Sequence, residues 1–356
     1  KLQEIATQAQ ILQADSVIFD DEISPAQQNN LEEILPAKVL DRTRLILDIF
    51  AQRARTQEGK LQVELAQLKY LLPRLSGRGA AMMQQKGGIG MRGPGERKLE
   101  YDRRRLRLRI SRLEKEIEAV KAGRSLRRQR RAQVPLPQIA LVGYTNAGKS
   151  TLLNALTQTQ SVYADDKLFA TLDPTTRRVR MPSGGEMLFT DTVGFIQKLP
   201  HSLVTSFRAT LEETSFADVI LHVQDAAAPN RREQEATVLQ IITDLKAQNI
   251  PLITVFNKAD LLSPGQLALL RTQYPQAVFV SALEEANLTA LLRRVEQAAS
   301  YKWQVHTLSL RLDQLHLLGL FYEKSLVINR KETPRGLTLT FMATEGNFKS
   351  LQHRLG

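Results

Sequence analysis

Cysteine is absent from the 356 residues, which excludes disulfides, thiolate nucleophiles and zinc ribbons and fits a reducing compartment. Histidine is scarce. The five present (His201, His222, His306, His316, His353) show no H-E-x-x-H or similar spacing, so no histidine metal site is expected. No apolar run comes near the ~18 residues that a membrane-crossing helix needs; residues 250–256 are among the longest and are strand-sized. The single tryptophan, Trp303, sits at a domain junction and reads as packing rather than as a base-stacking platform. Lys1 is followed by no apolar signal segment, and the N-terminal piece is expected to be truncated. What remains suffices for packed interiors: 42% of residues are hydrophobic and 24% charged. Wholesale disorder is thereby excluded, and the length suggests two or three domains.

The net charge of +12 is concentrated. Residues 96–131 hold fifteen basic and six acidic side chains, three quarters of the excess in a tenth of the chain. Such a stripe favours phosphate backbones. Beside it, Leu61, Leu65, Leu68, Leu72 and Leu75 recur at steps of 4 and 3. Leu99, Leu106, Ile110, Leu113, Ile117 and Val120 continue the rhythm, with Arg103 in the polar slot. Two such seams predict two long helices packed antiparallel as a hairpin. Residues 77–95 between them carry seven of the nineteen glycines (Gly77, Gly79, Gly87, Gly88, Gly90, Gly93, Gly95), interleaved with Arg78, Lys86 and Arg92. Hairpin closure needs only a few residues, and glycine lets a backbone approach a crowded surface. This basic segment therefore reads as a finger that enters a nucleic-acid cavity.

A nucleotide site is written more plainly. An apolar strand at 138–142 runs into Gly143, Tyr144, Thr145, Asn146, Ala147, Gly148, Lys149 and Ser150, then a helix from Thr151. This is G-x-x-x-x-G-K-[ST] in its strand–loop–helix setting. Backbone N–H groups cradle the α- and β-phosphates, Lys149 meets β/γ oxygens, and the Ser150 hydroxyl suits Mg²⁺. Downstream, a strand at 252–256 ends in Asn257, Lys258, Ala259 and Asp260. A carboxylate there accepts from guanine N1–H and the exocyclic amine, a pattern adenine lacks. The strand at 278–280 ends in Ser281 and Ala282, whose backbone suits guanine O6. Between these motifs, Asp191 is placed to hold Mg²⁺ through water and the Gly194 N–H to meet the γ-phosphate. Thr171 is the chosen switch hydroxyl and third metal contact, over Thr175 and Thr176. Lys149, Thr171 and Gly194 are thus the catalytic candidates, with GTP/GDP and Mg²⁺ as cofactors. Phe195 stands where Ras-like enzymes carry the water-orienting glutamine; Gln197 and His201 lie nearby without an assignable role. Slow intrinsic hydrolysis is expected.

The expected fold is α/β. It has an N-terminal α/β piece (1–55), the helical hairpin (56–121), an extended basic linker (122–137), a doubly wound mixed-sheet P-loop GTPase domain (138–300) and a small C-terminal α/β domain (301–356), with the C-terminal role not readable.

The P-loop, residues 169–176, Asp191 to Phe195, Asn257 to Asp260 and Ser281-Ala282 together resemble the translation-factor-related GTPases that replace the catalytic glutamine with an apolar residue. Residues 87–96 (GGIGMRGPGE), the following Leu99, Glu100, Tyr101, Asp102, Arg103 and Arg104, and the run 41–72 are similar to the signature of the HflX family. The likeness covers about residues 1–300 and weakens after Tyr301. It implies a cytoplasmic, ribosome-associated GTPase that binds the large subunit through the basic hairpin and glycine-rich loop. The finger would approach the peptidyl-transferase region, and the protein would split or rescue stalled ribosomes under stress. The family also implies an N-terminal piece that starts earlier, and some use of ATP, which Asn257–Asp260 does not predict. A monomer is expected. The alternative is an RNA-binding or helicase-like protein in which nucleotide is structural; the intact Asp191–Gly194 element speaks against it. A membrane-surface contact of the basic stripe is compatible with its charge, but its apolar seam is occupied by the partner helix.

Overall fold

The computed structural model describes residues 1–75, 94–131, 136–157, 174–195 and 212–355, and of 94–99, 121–131 and 212–213 it describes the backbone alone. Thr171, Gln197, His201 and residues 77–93 of the glycine-rich segment lie outside the described residues. The chain divides into two compact units, one built on Lys1–Ala122 and one on Gly123–Gln197 with Ala209–Gly356.

The N-terminal unit alternates α1 (Leu2–Ile11), β1 (Ser16–Phe19), α2 (Pro25–Ile34), β2 (Lys38–Asp41), α3 (Arg42–Arg53), α4 (Gln57–Arg74) and α5 (Pro94–Arg131), whose residues from Gly123 on count with the second unit. Strands β1 and β2 pair in parallel from Ser16↔Lys38 to Phe19↔Asp41. Local signals set the helix starts: Ser24 and Gln27 form a reciprocal capping box with Pro25 at the first helical position, and Thr56 accepts from the Gly59 N–H. Asp41 does more than cap α3. Its buried carboxylate accepts from the Arg44 N–H (2.8 Å), the Tyr70 hydroxyl (2.8 Å) and Arg74 Nη2 (3.1 Å), tying the last turn of α4 to β2. Burial and the adjacent Asp41 carboxylate push the Tyr70 hydroxyl pKa up.

Helices α4 and α5 form the predicted hairpin, packed through Leu61, Leu65, Leu113 and Ile117, with Leu68, Ile110 and Val120 at the margin. Helix α5 runs on to Arg131, through residues that the loss of apolar rhythm assigns to an extended linker. Arg, Leu and Gln are good helix formers and no proline intervenes before Pro135. The lost rhythm therefore marks the end of an apolar face, not the end of the helix.

The second unit is built on a six-stranded sheet of order β4-β5-β3-β6-β7-β8. Its strands are β3 (Gln138–Gly143), β4 (Thr175–Arg180), β5 (Glu186–Asp191), β6 (Val219–Asp225), β7 (Leu252–Asn257) and β8 (Val278–Phe279). All neighbours are parallel except β4 and β5. Central strands β3 and β6 are buried along almost their whole length; β3 is accordingly an apolar run, while β6 carries the buried polar residues His222 and Gln224. Helices α6 (Lys149–Thr157), α7 (Arg231–Asp244), α8 (Pro264–Gln273) and α9 (Leu288–Ala299) follow the strands. A three-stranded antiparallel sheet, β10-β11-β9, completes the unit: β9 (Gln304–Arg311), β10 (Leu326–Thr333) and β11 (Gly336–Ala343). Helices α10 (Leu318–Lys324) and α11 (Glu345–Leu355) share its core of Leu310, Phe321, Leu339, Phe341 and Leu351. A 3₁₀ turn over Leu312–Leu317 leads directly into α10.

Trp303 is packing, as read: it is buried, and its Nε1 donates to Asp218 at 3.2 Å. The same carboxylate accepts from the Gln138 N–H (2.9 Å) and Lys302 Nζ (2.5 Å), joining the start of β3, β6 and the C-terminal junction at one buried point. Among the described residues no helix is long and apolar enough to cross a membrane, and no cluster of three or more His, Cys, Asp or Glu could hold a metal ion.

Candidate nucleotide site

The site forms where β3, β5, β7 and β8 end. Strand β3 delivers Gly143 so close to β6 that a Cβ there would lie 2.1 Å from the Val223 carbonyl oxygen. The loop then turns through Asn146 (φ +62°) and Gly148 (φ +85°) into α6. Both take the left-handed conformation that glycine and asparagine tolerate. At Gly148 a Cβ would also meet Asn257 Nδ2 at 2.3 Å, so glycine is required there twice over.

Lys149 opens α6 and is buried. Its Nζ donates to the carbonyls of Gly143 (3.1 Å) and Tyr144 (2.9 Å). Desolvation lowers its pKa to about 8, against the opposing pull of Asp191. The next residue, Ser150, donates its hydroxyl to Asp191 Oδ2 at 2.6 Å. Asp191 is fully buried at the end of β5, and Thr192 behind it bonds the Leu141 carbonyl. Gly194 packs on the loop, where a Cβ would stand 2.9 Å from Thr145 Cα and 3.0 Å from Lys149 Nζ. Phe195 closes the arrangement. Its N–H donates to the Gly143 carbonyl (3.0 Å), its carbonyl accepts from the Thr145 N–H (2.7 Å), and its ring lies buried with Ala140, Val142, Ile220 and Val238.

At the other end of the loop one buried side chain joins two motifs. Asn257 donates through Nδ2 to the Ala147 carbonyl (3.0 Å) and accepts at Oδ1 from the Ala282 N–H (3.0 Å). Lys258 is left-handed (φ +60°) and pairs with Asp225 at 2.8 Å; Asp260 is exposed. Ser281 is buried beside Ala282. The structure thus brings Gly143–Ser150 together with Asp191, Gly194, Asn257 and Ala282 at one end of the sheet. Thr151 continues α6. Thr175 pairs opposite Asp191 at the start of β4, and the Thr176 hydroxyl lies 3.0 Å from that of Thr190.

The comparisons with known proteins converge. Residues 1–51 match the family model described as "GTP-binding GTPase N-terminal", 53–131 match "GTP-binding GTPase Middle Region", and 138–258 match "50S ribosome-binding GTPase". GTPase HflX of Escherichia coli K12 is 46% identical over 325 residues, covering 91% of this chain and 76% of that protein. GTPase HflX of Alkalihalophilus pseudofirmus is 47% identical over 327, covering 92% and 76%. The chain belongs to the HflX GTPase family. It is accordingly a GTP-hydrolysing enzyme. The crystal structure of the SsGBP–GDP complex aligns with a TM-score of 0.50 at 25% identity, covering 84% of this chain and 85% of that one, and supports nucleotide binding.

One residue near the site carries no motif. His222 is buried on β6, paired with Val142, and its Nδ1 lies 3.3 Å from Gln224 Nε2. Desolvation, then the Lys149 charge, lowers its pKa to about 4. A histidine held neutral in the folded state but protonated below 6.5 in the unfolded chain removes stability as pH falls from about 6.5 to 4, by about 3 kcal/mol at most. Urea unfolding across that window should show this loss, and His222→Gln should flatten it. An equal slope in the variant would remove His222 as its cause.

Proposed function

We propose that this HflX-family chain is a cytoplasmic, GTP-driven and Mg²⁺-dependent switch, a monomer that binds the large ribosomal subunit through α5 and residues 77–95. It would split or rescue stalled ribosomes under stress. The observation that carries this reading is the free face of α5. While Leu113 and Ile117 are buried in the hairpin seam, Tyr101, Arg105, Leu108 and Arg112 are exposed at steps of 4, 3 and 4 along another face. Arginines interleaved with an aromatic and an aliphatic side chain suit phosphate contacts and stacking on RNA. The match to the "50S ribosome-binding GTPase" model and the HflX relatives support the partner.

In this reading the loop N–H groups and the α6 N-terminus receive the phosphates. Lys149 exchanges two backbone carbonyls for β/γ oxygens, whose negative charge favours the ammonium that burial penalises. Ser150 and Asp191, with Thr171, hold Mg²⁺; their contact at 2.6 Å converges two hard oxygens, the donors this ion takes. When bound, the ion neutralises charge on the β/γ oxygens. The Gly194 N–H meets the γ-phosphate, Asp260 reads guanine and the Ser281–Ala282 backbone meets its O6. Phe195 has no group that can orient water, so intrinsic turnover is slow and the ribosome completes the site.

Steady-state hydrolysis of GTP, with ATP in parallel, tests this with and without purified large subunits. The subunit is expected to raise GTP turnover by roughly a thousandfold, the lower end of what completing a GTPase site supplies. Deleting residues 87–95 should keep the basal rate and remove the stimulation. Stimulation that survives the deletion would overturn the finger, and none in the intact chain would overturn the partner.

A further inference from the structure

Nothing in the nucleotide motifs explains why the C-terminal domain touches the GTPase sheet where it does. Besides the Trp303 and Lys302 bonds to Asp218 at the junction, the contact is made at the tip of the β4–β5 hairpin. This hairpin starts at Thr175 and ends at Asp191, which are paired with each other next to the nucleotide loop, while Arg180 pairs with Glu186 at the far end. Six residues per strand make a lever of about 20 Å.

The tip turns through Gly184 (φ +94°), with the Met181 N–H bonded to the Gly185 carbonyl at 2.8 Å. Ser183 donates through its N–H (3.1 Å) and hydroxyl (2.5 Å) to Glu296 Oε1 on α9. A Cβ on Gly185 would lie 3.2 Å from Leu326 Cδ2 on β10 and 3.9 Å from Met342 Sδ on β11; one on Gly184 would lie 4.0 Å from Ile328 Cγ2. The register of β10 against β11 shifts between Val327 and Asn329, an irregularity centred on Ile328. Such bulges re-aim side chains. Below the tip, Val179, Met181 and Met187 of the hairpin share one buried cluster with Trp303 and Met342, and Leu326 and Ile328 pack against it. The C-terminal domain's own core is a separate cluster.

We infer that the C-terminal domain senses the nucleotide state through the β4–β5 tip. The inference rests on the GTP switch proposed above, whose assigned contacts Thr171 and Gly194 lie a few residues from Thr175 and Asp191 in the chain. A close-packed interface does not deform continuously. A shift of the hairpin when the γ-phosphate is present therefore requires Leu326, Ile328 and Met342 to repack, and linkage makes the coupling reciprocal: what loosens the clasp changes nucleotide preference.

Hydrogen exchange on the full chain with GDP or a non-hydrolysable GTP analogue, each with Mg²⁺, tests this. Exchange over residues 326–343 should differ about threefold or more between the two states. Glu296→Ala, at a half-exposed site, and Met342→Ala should shrink that difference. They should also shift the ratio of analogue to GDP affinity by about fivefold, the lower end of measured couplings. Residues 326–343 exchanging identically while 174–176 and 191–195 respond would overturn the coupling alone. A chain in which neither segment responds overturns the nucleotide-site reading and the coupling with it. Unchanged affinity ratios in both variants would likewise overturn it.

Discussion

Lys149→Ala is expected to weaken GTP binding by about 10² to 10³-fold, because truncating one partner of a buried charge pair costs about 3–4 kcal/mol. Titration with a fluorescent GTP analogue reads it directly, and unchanged affinity would contradict the placement of the phosphates on residues 143–150. A second effect has the opposite sign. Without nucleotide the ammonium is buried against two carbonyls, and desolvation lowers its pKa from 10.5 to about 8. A base whose pKa is lowered by folding costs stability in full below its folded value, and the cost fades as pH rises to its unfolded value. The nucleotide-free protein should therefore become more stable between pH 8 and 10.5, by up to about 3 kcal/mol. Lys149→Met, which keeps the apolar stem, should abolish that rise while also abolishing binding. A variant that binds no GTP and yet is more stable at pH 7 would show that this residue is held at a cost for its ligand.

What could be read in the chain alone is what local chemistry fixes. Strands β3 and β7 read as apolar runs because both faces of a parallel strand inside the sheet are covered; β6, interrupted by His222 and Gln224, gives no such run. The hairpin seam was legible because Leu61, Leu65, Leu113 and Ile117 keep a heptad rhythm, and the phosphate loop because its glycines are fixed by spacing. Less local facts were hidden. Asn257 was legible as part of a guanine motif, but not as the tie between Ala147 and Ala282, 110 and 25 residues away. Phe195 could be seen to lack a water-orienting group, but not to lie in a cluster with Ala140 and Val238. The C-terminal end of α5 is not legible, because a helix with polar residues all round has no periodicity to detect. His222, Asp218 and the Asp41–Arg74 pair carry no motif at all. Each matters through partners brought to it by the fold.

Asp260→Asn tests the base assignment, and the fold around it says why the outcome should be sharp. The loop that carries Asp260 is pinned on both sides: the Ala226 N–H donates to the Asn257 carbonyl (2.9 Å) and the Ala259 N–H to the Val280 carbonyl (3.1 Å). Lys258, left-handed, is tied to Asp225 at 2.8 Å. A carboxylate on such a loop has little freedom to find another partner. Two hydrogen bonds from guanine to a charged acceptor are worth about 1.5–3 kcal/mol each, so the amide should lower GTP affinity by at least about 100-fold. The amide offers an N–H where guanine also offers one, which adds repulsion to the loss. Xanthine carries a carbonyl in place of the exocyclic amine, so affinity for xanthosine triphosphate should rise in the same variant. ATP makes neither bond, and its weak binding should stay where it was. Equal losses for GTP and ATP would mean that the substitution had only loosened the loop. A GTP affinity that did not fall would move guanine selection away from Asp260, and an ATP affinity comparable to that of GTP in the unaltered protein would show that selection is not exercised at this loop at all.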